Sequence, residues 1–106
     1  MQYLKEVTSK EFIPGFFGKF IHGSQTTLAF IDIKKGSELK EHHHINEQIT
    51  HIVEGEFEMN IGGKRYRMTS GCVNVIPPNV PHSAIALTDC KVIDAFSPAR
   101  DDYRFS

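Results

Sequence analysis

Hydrophobic and polar residues alternate along most of this chain with a period of two. β-Branched and aromatic residues fill these stretches, whereas apolar residues rarely recur at the helical i, i+3, i+4 and i+7 spacing. Gly, Pro, Asn or Asp marks most of the breaks between them. The pattern predicts an all-β protein whose strands are Phe16–Ile21, Thr26–Ile33, Ile49–Val53, Phe57–Ile61, Lys64–Met68, Val73–Ile76, His82–Leu87 and Lys91–Phe96.

The clearest local prediction is a hairpin with Gly62-Gly63 at its turn. Glycine has no Cβ and adopts the positive φ angles of a two-residue hairpin turn without strain. The apolar face of this hairpin would carry Phe57, Met59 and Ile61. Nearer the N-terminus, residues 9–12 predict one short turn of helix before Pro14-Gly15.

Size and composition favour one globular domain that spans residues 1–106. Hydrophobic residues make up 40% of the 106 residues and charged residues 24%, which is typical of a chain that folds around one core. Short strands at close spacing are typical of a sandwich or a barrel, and the spacing does not choose between them.

Charge and hydropathy exclude several classes of partner. The formal net charge is −1, so there is no basic field that would attract nucleic acid. No apolar run approaches the roughly 20 residues that cross a bilayer, and the N-terminus lacks the apolar region of a signal peptide. We therefore expect no membrane partner and a cytoplasmic location.

The two cysteines are predicted to be reduced residues of the core. Cys72 and Cys90 show no CxxC spacing, which argues against a zinc ribbon or a redox dithiol. A free cysteine behaves as a small buried hydrophobe.

Histidine is concentrated in one segment. Six histidines occur in the chain, and His42, His43, His44 and His51 fall within ten positions. On an extended backbone, His42 and His44 point to one side and His43 to the other, so the first two could reach a common ion. A histidine-rich loop that is simply solvated remains the other interpretation of these residues.

The surrounding spacing resembles the two motifs of the cupins, a family of small β-barrels. Gly36 to Gly55 matches G-x5-HxH-x3,4-E-x6-G, with Gln48 where the family usually has Glu. Gly71 to His82 matches the start of G-x5-PxG-x2-H-x3-N, with Asn79 at the inner Gly and Ala86 at the final Asn. The resemblance implies a single-domain cupin barrel, jelly-roll-like, with core motifs at 36–55 and 71–86 after an N-terminal extension of about 15 residues.

By this resemblance, one divalent metal ion would be held by His42, His44, Gln48 and His82. Glu47 is the chemical rival of Gln48, because a carboxylate binds hard cations better than an amide, but the family spacing selects Gln48. Three neutral imidazoles and an amide would leave the ion its full charge and favour anionic substrates. Imidazole and oxygen ligands suit Zn, Ni, Mn or Fe, and the sequence does not choose among these metals.

A second cluster lies near the C-terminus. Alternation places Val92, Asp94 and Phe96 on one face. An acid among apolar residues is costly unless it is paired or needed, so Asp94 is either a proton-transfer group with a raised pKa or a strand-end residue hydrogen-bonded to a loop or to Arg100.

The string D-x-F-x-P-x-R-x-D-Y from Asp94 to Tyr103 is similar to the ending of the KdgF-type pectin-degradation cupins. That resemblance implies conversion of 4,5-unsaturated uronates to 5-keto-4-deoxyuronate. Asp94 would act as the acid/base, Phe96 would lie beside the bound sugar, and Arg100 would pair with the substrate carboxylate.

Two other functions remain open on the sequence. An open three-histidine site with Fe(II) would suit a dioxygenase, and a barrel without catalysis would suit a binder of sugars or other small ligands. In each case the expected partner is a small molecule, most simply an anionic sugar acid. We also expect a homodimer, because the edge strands of a sheet need covering.

Overall fold

Alternation along the chain produces two antiparallel sheets in the computed structural model, which describes residues 1–104. Two short 3-10 turns, Leu4–Glu6 and Asp101–Tyr103, flank the strands. The strands of the described residues are β1 (Lys10–Ile13), β2 (Phe16–His22), β3 (Thr27–Ile33), β4 (Glu38–His42), β5 (Glu47–Glu54), β6 (Phe57–Ile61), β7 (Lys64–Met68), β8 (Val73–Ile76), β9 (His82–Ala86) and β10 (Cys90–Ser97).

The two sheets face each other across one core. The larger has the order β1-β2-β3-β10-β5-β8 and the smaller β4-β9-β6-β7. Inward positions of both sheets are buried and join one cluster, in which Ala29 and Ile52 come from the larger sheet and Met59 and Ala86 from the smaller. The predicted all-β, jelly-roll-like barrel is therefore confirmed.

Two elements differ from the sequence prediction. The helical turn expected at residues 9–12 is wrong, because β1 pairs with β2 and Phe12 packs edge-on against the rings of Phe16 and Phe20. Strand β4 was not predicted, because its side chains are mostly polar and exposed; Leu39 is its contact with the core. Its pairing with β9 creates the strand.

The Gly62-Gly63 hairpin is confirmed, with φ angles of 57° and 84°. Cys90 is buried and Cys72 is half-buried, and both are free thiols, as predicted. Among residues 1–104, no helix has the length and apolar character needed to cross a membrane.

Candidate metal centre

Strand pairing brings the two histidine motifs together. His42 is the last residue of β4 and His82 the first of β9, and the two lie opposite each other in the sheet. A register shift between Leu39 and His42 precedes this pair. The ring centroids of His42 and His82 are 4.3 Å apart, so motifs separated by some 40 residues meet at one point.

His44 joins this pair from the loop that follows β4. Its ring centroid lies 5.6 Å from that of His42 and 4.9 Å from that of His82. The three histidines offer ligand nitrogens that all lie within 4.8 Å of one another. The backbone N–H of Asn79 donates to the carbonyl of His44 at 2.8 Å, which ties the loop of the first motif to that of the second.

Backbone carbonyls determine which nitrogen each imidazole presents. The Nδ1 atoms of His42, His44 and His82 each lie 2.9 Å from a carbonyl oxygen, that of Lys40, Asn46 and Val80 respectively. A carbonyl can only accept, so in the neutral form of each ring Nδ1 carries the proton and Nε2 keeps the lone pair. Each ring is thus held by the protein in an orientation that offers Nε2 to a cation.

A chain of polar contacts runs from the histidines into the barrel along β5 and β10. Gln48 Oε1 lies 3.2 Å from His44 Nε2. On its other side, Gln48 Nε2 donates to Thr50 Oγ1 at 2.9 Å, and Thr50 Oγ1 donates to Asp94 Oδ1 at 2.7 Å. Gln48, Thr50 and Asp94 are all buried.

The donor set fits a divalent cation. His82 Nε2 is buried and has no hydrogen-bond partner in the described part of the chain. His44 Nε2 and Gln48 Oε1 both present lone pairs to each other at 3.2 Å, an arrangement that a shared cation would satisfy. Imidazole nitrogen and an amide oxygen are ordinary ligands of first-row divalent metals.

Burial shifts the pKa values of three groups at this site, His82, His44 and Asp94. It lowers the pKa of His82 to about 4 and also lowers the pKa of His44, with Arg100 adding a like-charge effect on both. Burial likewise raises the pKa of Asp94 to about 6, although the Thr50 hydrogen bond acts in the opposite direction. The direction of this shift is the one expected for a buried acid, and the Asp94 carboxylate accepts a hydrogen bond from Thr50 rather than from a loop or Arg100.

Arg100 lines the cavity. Its guanidinium lies over the rings of Phe96 and Tyr103, 4.8 and 4.2 Å from their centroids. It is buried, and its Nε and Nη2 donate to the two carboxylate oxygens of Asp102 at 2.9 and 2.7 Å. A substrate carboxylate at Arg100 would therefore share the guanidinium with Asp102 or displace it.

Five of the predicted site residues line one cavity of the barrel: His42, Gln48, Asp94, Phe96 and Arg100. The other two, His44 and His82, join the site through their cluster with His42, and Thr50 and Tyr103 also line the cavity. Glu47 and His43 are exposed, and His51 points away from the cavity, with Nδ1 3.3 Å from the carbonyl of Cys72. Gln48 rather than Glu47 is the neighbour of His44.

Sequence reasoning missed three supporting residues. Alternation places Thr50 on the same strand face as Gln48, but nothing in the sequence pairs it with Asp94. Asn46 is buried and donates to the carbonyl of Pro98 at 2.6 Å, which joins the histidine loop to the C-terminal segment. His22 contacts Thr27 Oγ1 and the carbonyl of Tyr103.

Fold and site together define a small single-domain β-barrel with a three-histidine cluster inside it. The chain belongs to the cupin family, because residues 29–96 match the cupin domain.

Two solved structures resemble nearly the whole chain. An RmlC-like cupin from Shewanella frigidimarina NCIMB 400 is 30% identical, with a TM-score of 0.92 over 97% of this chain and 94% of that one. KdgF from Halomonas sp. is 33% identical, with a TM-score of 0.86 over 92% of both chains. The chain is thus a small cupin that resembles KdgF.

A curated relative is the pectin degradation protein KdgF of Dickeya dadantii (strain 3937), 34% identical over 62 residues, or 58% of this chain. The match spans about half of that relative, 56% of its length. A mutant of salicylate 1,2-dioxygenase from Pseudoaminobacter salicylatoxidans is 18% identical, with a TM-score of 0.76 over 81% of this chain and 28% of that one, and shares the fold alone.

Proposed function

We propose that this protein is a metal-dependent enzyme that acts on a small anionic carbohydrate, in the manner of the KdgF-type conversion of 4,5-unsaturated uronate to 5-keto-4-deoxyuronate. The observation that carries the proposal is the position of Asp94, a buried carboxyl in the same cavity as His42 and Gln48. The similarity to KdgF over nearly the whole chain supports the choice of substrate.

The proposed ligands of the metal are His42, His44, Gln48 and His82. A divalent cation there would act as a Lewis acid that polarises a substrate oxygen. Its identity among Zn, Ni, Mn and Fe is left to metal analysis. Because none of the four ligands is anionic, the site would keep a positive charge and attract a carboxylate substrate.

The conversion is an isomerisation, and Asp94 is the residue proposed to move its protons. The ring C1–O bond breaks, the C1 hydroxyl loses its proton to give an aldehyde, and the ring oxygen becomes the oxygen of an enol at C5. The proton released at C1 protonates that oxygen, and the enol becomes a ketone as its oxygen loses a proton and C4 gains one, so no atom is lost. A carboxyl with a pKa of about 6 can both take and give a proton near neutral pH.

Phe96 and Arg100 are proposed to position the sugar. Phe96 lies 5.9 Å from the ring of His44, edge to face, and provides an apolar wall beside the proposed ion. Arg100 is proposed to bind the uronate carboxylate, for which its planar guanidinium is suited. The two residues would thereby hold the substrate with its reacting carbons between Asp94 and the histidines.

The test is the loss of ultraviolet absorbance of 4,5-unsaturated galacturonate, measured under anaerobic conditions with protein loaded with each metal. We expect a rate above that of buffer, and a rate equal to buffer after chelation. The D94N variant keeps an oxygen for Thr50 but cannot transfer the proton, so we expect a rate about 100- to 10,000-fold lower.

The matched control is His43→Ala, since His43 is exposed beside the site; it should keep the wild-type rate. Equal rates for wild type and buffer with every metal would contradict this function. Saturable binding of the sugar with no product would then indicate the non-catalytic cupin, and turnover that appears only when oxygen is admitted would indicate the dioxygenase.

The expected homodimer and cytoplasmic location stay predictions. Support for a dimer comes from strand β8, an edge of the larger sheet, which exposes Val73 and Val75. Sedimentation equilibrium tests it: we expect twice the monomer mass for wild type and a shift toward monomer for Val75→Lys. A wild-type protein of monomer mass at all concentrations would contradict the dimer.

A further inference from the structure

Thr50 lies at the centre of the chain of polar contacts that joins the histidine cluster to Asp94. Its side chain is 1% exposed and belongs to β5, directly opposite Asp94 in β10. Its single hydroxyl accepts from Gln48 and donates to Asp94. Thr50 therefore contacts both Gln48, a proposed metal ligand, and Asp94, the proposed acid/base. Among the described residues, its side chain makes no hydrogen bond to the three clustered histidines.

The direction of this chain follows from the chemistry of its members. An amide nitrogen can only donate, so the Thr50 oxygen must accept from Gln48 Nε2. The one hydroxyl proton is then directed to Asp94 Oδ1. With the amide nitrogen held by Thr50, the amide oxygen of Gln48 is the atom that faces His44.

The opposite orientation of the Gln48 amide would turn its NH2 group toward the lone pair on His44 Nε2. Its oxygen would then face Thr50. The single hydroxyl proton of Thr50 could be donated to the Gln48 oxygen or to the Asp94 carboxylate, but not to both. One of these buried acceptors would lose its hydrogen bond, which is costly. Thr50 and Asp94 together therefore favour the orientation that offers oxygen, and an amide NH2 group is no ligand for a cation.

We propose that Thr50 is a positioning residue that fixes the Gln48 amide oxygen toward the metal centre. The proposal rests on the metal site of the proposed function and deepens it. Without the hydroxyl, the Gln48 amide loses its hydrogen bond to Thr50 and is held less firmly, although Asp94 also interacts with it. An amide that turned would donate to His44 and compete with a metal for the same lone pair. A residue that makes no contact with the ion would thus control the affinity of the site.

The experiment compares Thr50→Val, which keeps the shape of the side chain without its hydroxyl, with Thr50→Ser, which keeps the hydroxyl. Co²⁺ is titrated into metal-free protein in competition with a chromophoric chelator, at a temperature where every variant is folded by circular dichroism. We expect T50V to bind Co²⁺ about tenfold or more weakly than wild type, the usual loss for an outer-shell partner. T50S should bind like wild type.

A second pair of variants tests whether Thr50 acts through Gln48. Gln48→Leu removes the amide, so adding T50V to it should cause no further loss of Co²⁺ affinity. The visible spectrum of Co²⁺ reports its ligands independently of stability. We expect the spectrum of T50V to shift toward that of Q48L and that of T50S to match wild type.

The outcomes separate this proposal from the proposed function. Wild-type Co²⁺ affinity in T50V, an equal loss in T50S and T50V, or an equal further loss in the Q48L background would overturn the role of Thr50 alone. Wild-type protein that binds no Co²⁺ would overturn the metal site and Thr50 together. Wild-type affinity that depends on Thr50 but no turnover of uronate would support Thr50 and contradict the enzyme.

Discussion

Each imidazole of the cluster is held by a carbonyl of its own loop or strand, through the neighbours Lys40, Asn46 and Val80. The donor atoms are therefore arranged by backbone geometry before any ion arrives. Such preorganisation lowers the ordering cost of binding, because the side chains lose little further freedom.

The consecutive residues His42 and His43 allow a matched test of metal binding. His42 points to the cluster and His43 to solvent. We expect His42→Ala to weaken binding of Zn²⁺ by more than the ~10- to 100-fold that an outer-shell change costs, and His43→Ala to leave it unchanged. Isothermal titration measures both, and equal losses in the two variants would show that the ion lies elsewhere.

We expect Asp94 to make the free energy of unfolding depend on pH. Its pKa rises on folding from 3.8 to about 6, so the folded state holds its proton longer, and the stability that this gives below pH 4 is lost as the pH rises through 6. The loss amounts to about 3 kcal/mol. His82 acts oppositely: its pKa falls to about 4, so its neutral burial favours folding increasingly from pH 4 to 6.5.

In the metal-free wild type, Asp94 lowers the free energy of unfolding as the pH rises, whereas His82 raises it. The substitution Asp94→Asn removes the contribution of Asp94. We therefore expect the free energy of unfolding of D94N to rise more steeply than that of wild type between pH 4 and 6. Urea denaturation of chelator-treated proteins at several pH values measures this. Parallel curves for the two proteins would be the contrary result.

At the scale of elements, the loops after β4 and β8 form one unit. Asn79 has a φ of 64° and donates its backbone N–H to the carbonyl of His44. A left-handed φ costs most residues about 1–2 kcal/mol but costs glycine little. This conformation explains why an asparagine can stand where the cupin motif has glycine.

We expect Asn79→Ala to lower the free energy of unfolding by about 1 kcal/mol and Asn79→Gly to change it little. Urea denaturation of both variants checks the prediction. An alanine variant as stable as the glycine variant would mean that the loop relaxes into another conformation, and that the contact with His44 does not depend on it.

The strands that the sequence predicted well are those with one buried face. Along β10, Val92, Asp94 and Phe96 are buried while Lys91 is exposed, so alternation identifies both the strand and its inward face. Alternation fails for β4, whose polar residues are exposed on both sides of Leu39, and for β1, whose strand depends on pairing with β2. Tertiary pairing overrides local preference in both.

The part of the candidate site that the sequence predicted consists of residues at regular spacings. His42 and His44 are recognisable by spacing, and His82 and Gln48 by their places in two motifs. Thr50 and Asn46 could not be found in this way, because their partners Asp94 and Pro98 lie more than 40 positions away. Hydrogen bonds between distant strands leave no periodic signal in one sequence.

For the whole molecule, a bound ion would bridge the two sheets. Gln48 belongs to the larger sheet, whereas His42 is the last residue of β4 and His82 the first of β9 in the smaller sheet. A ligand that binds only the folded state stabilises it, by about 2.7 kcal/mol at 100 times Kd. We therefore expect Zn²⁺ to raise Tm in proportion to the logarithm of its concentration, and chelation to reverse the rise.

Calorimetric scans of wild type and His82→Ala with and without Zn²⁺ check this expectation. The rise should be lost in H82A, because that variant removes one of the three clustered imidazoles. A Tm of wild type that does not change with Zn²⁺ would indicate that the folded barrel binds no metal.

The most direct test of the metal centre is anomalous diffraction from crystals of the metal-loaded protein. We expect one peak within bonding distance of the Nε2 atoms of His42, His44 and His82 and of Gln48 Oε1. A peak bound instead by His43, His51 or Glu47, or the amide nitrogen of Gln48 turned toward the ion, would contradict it.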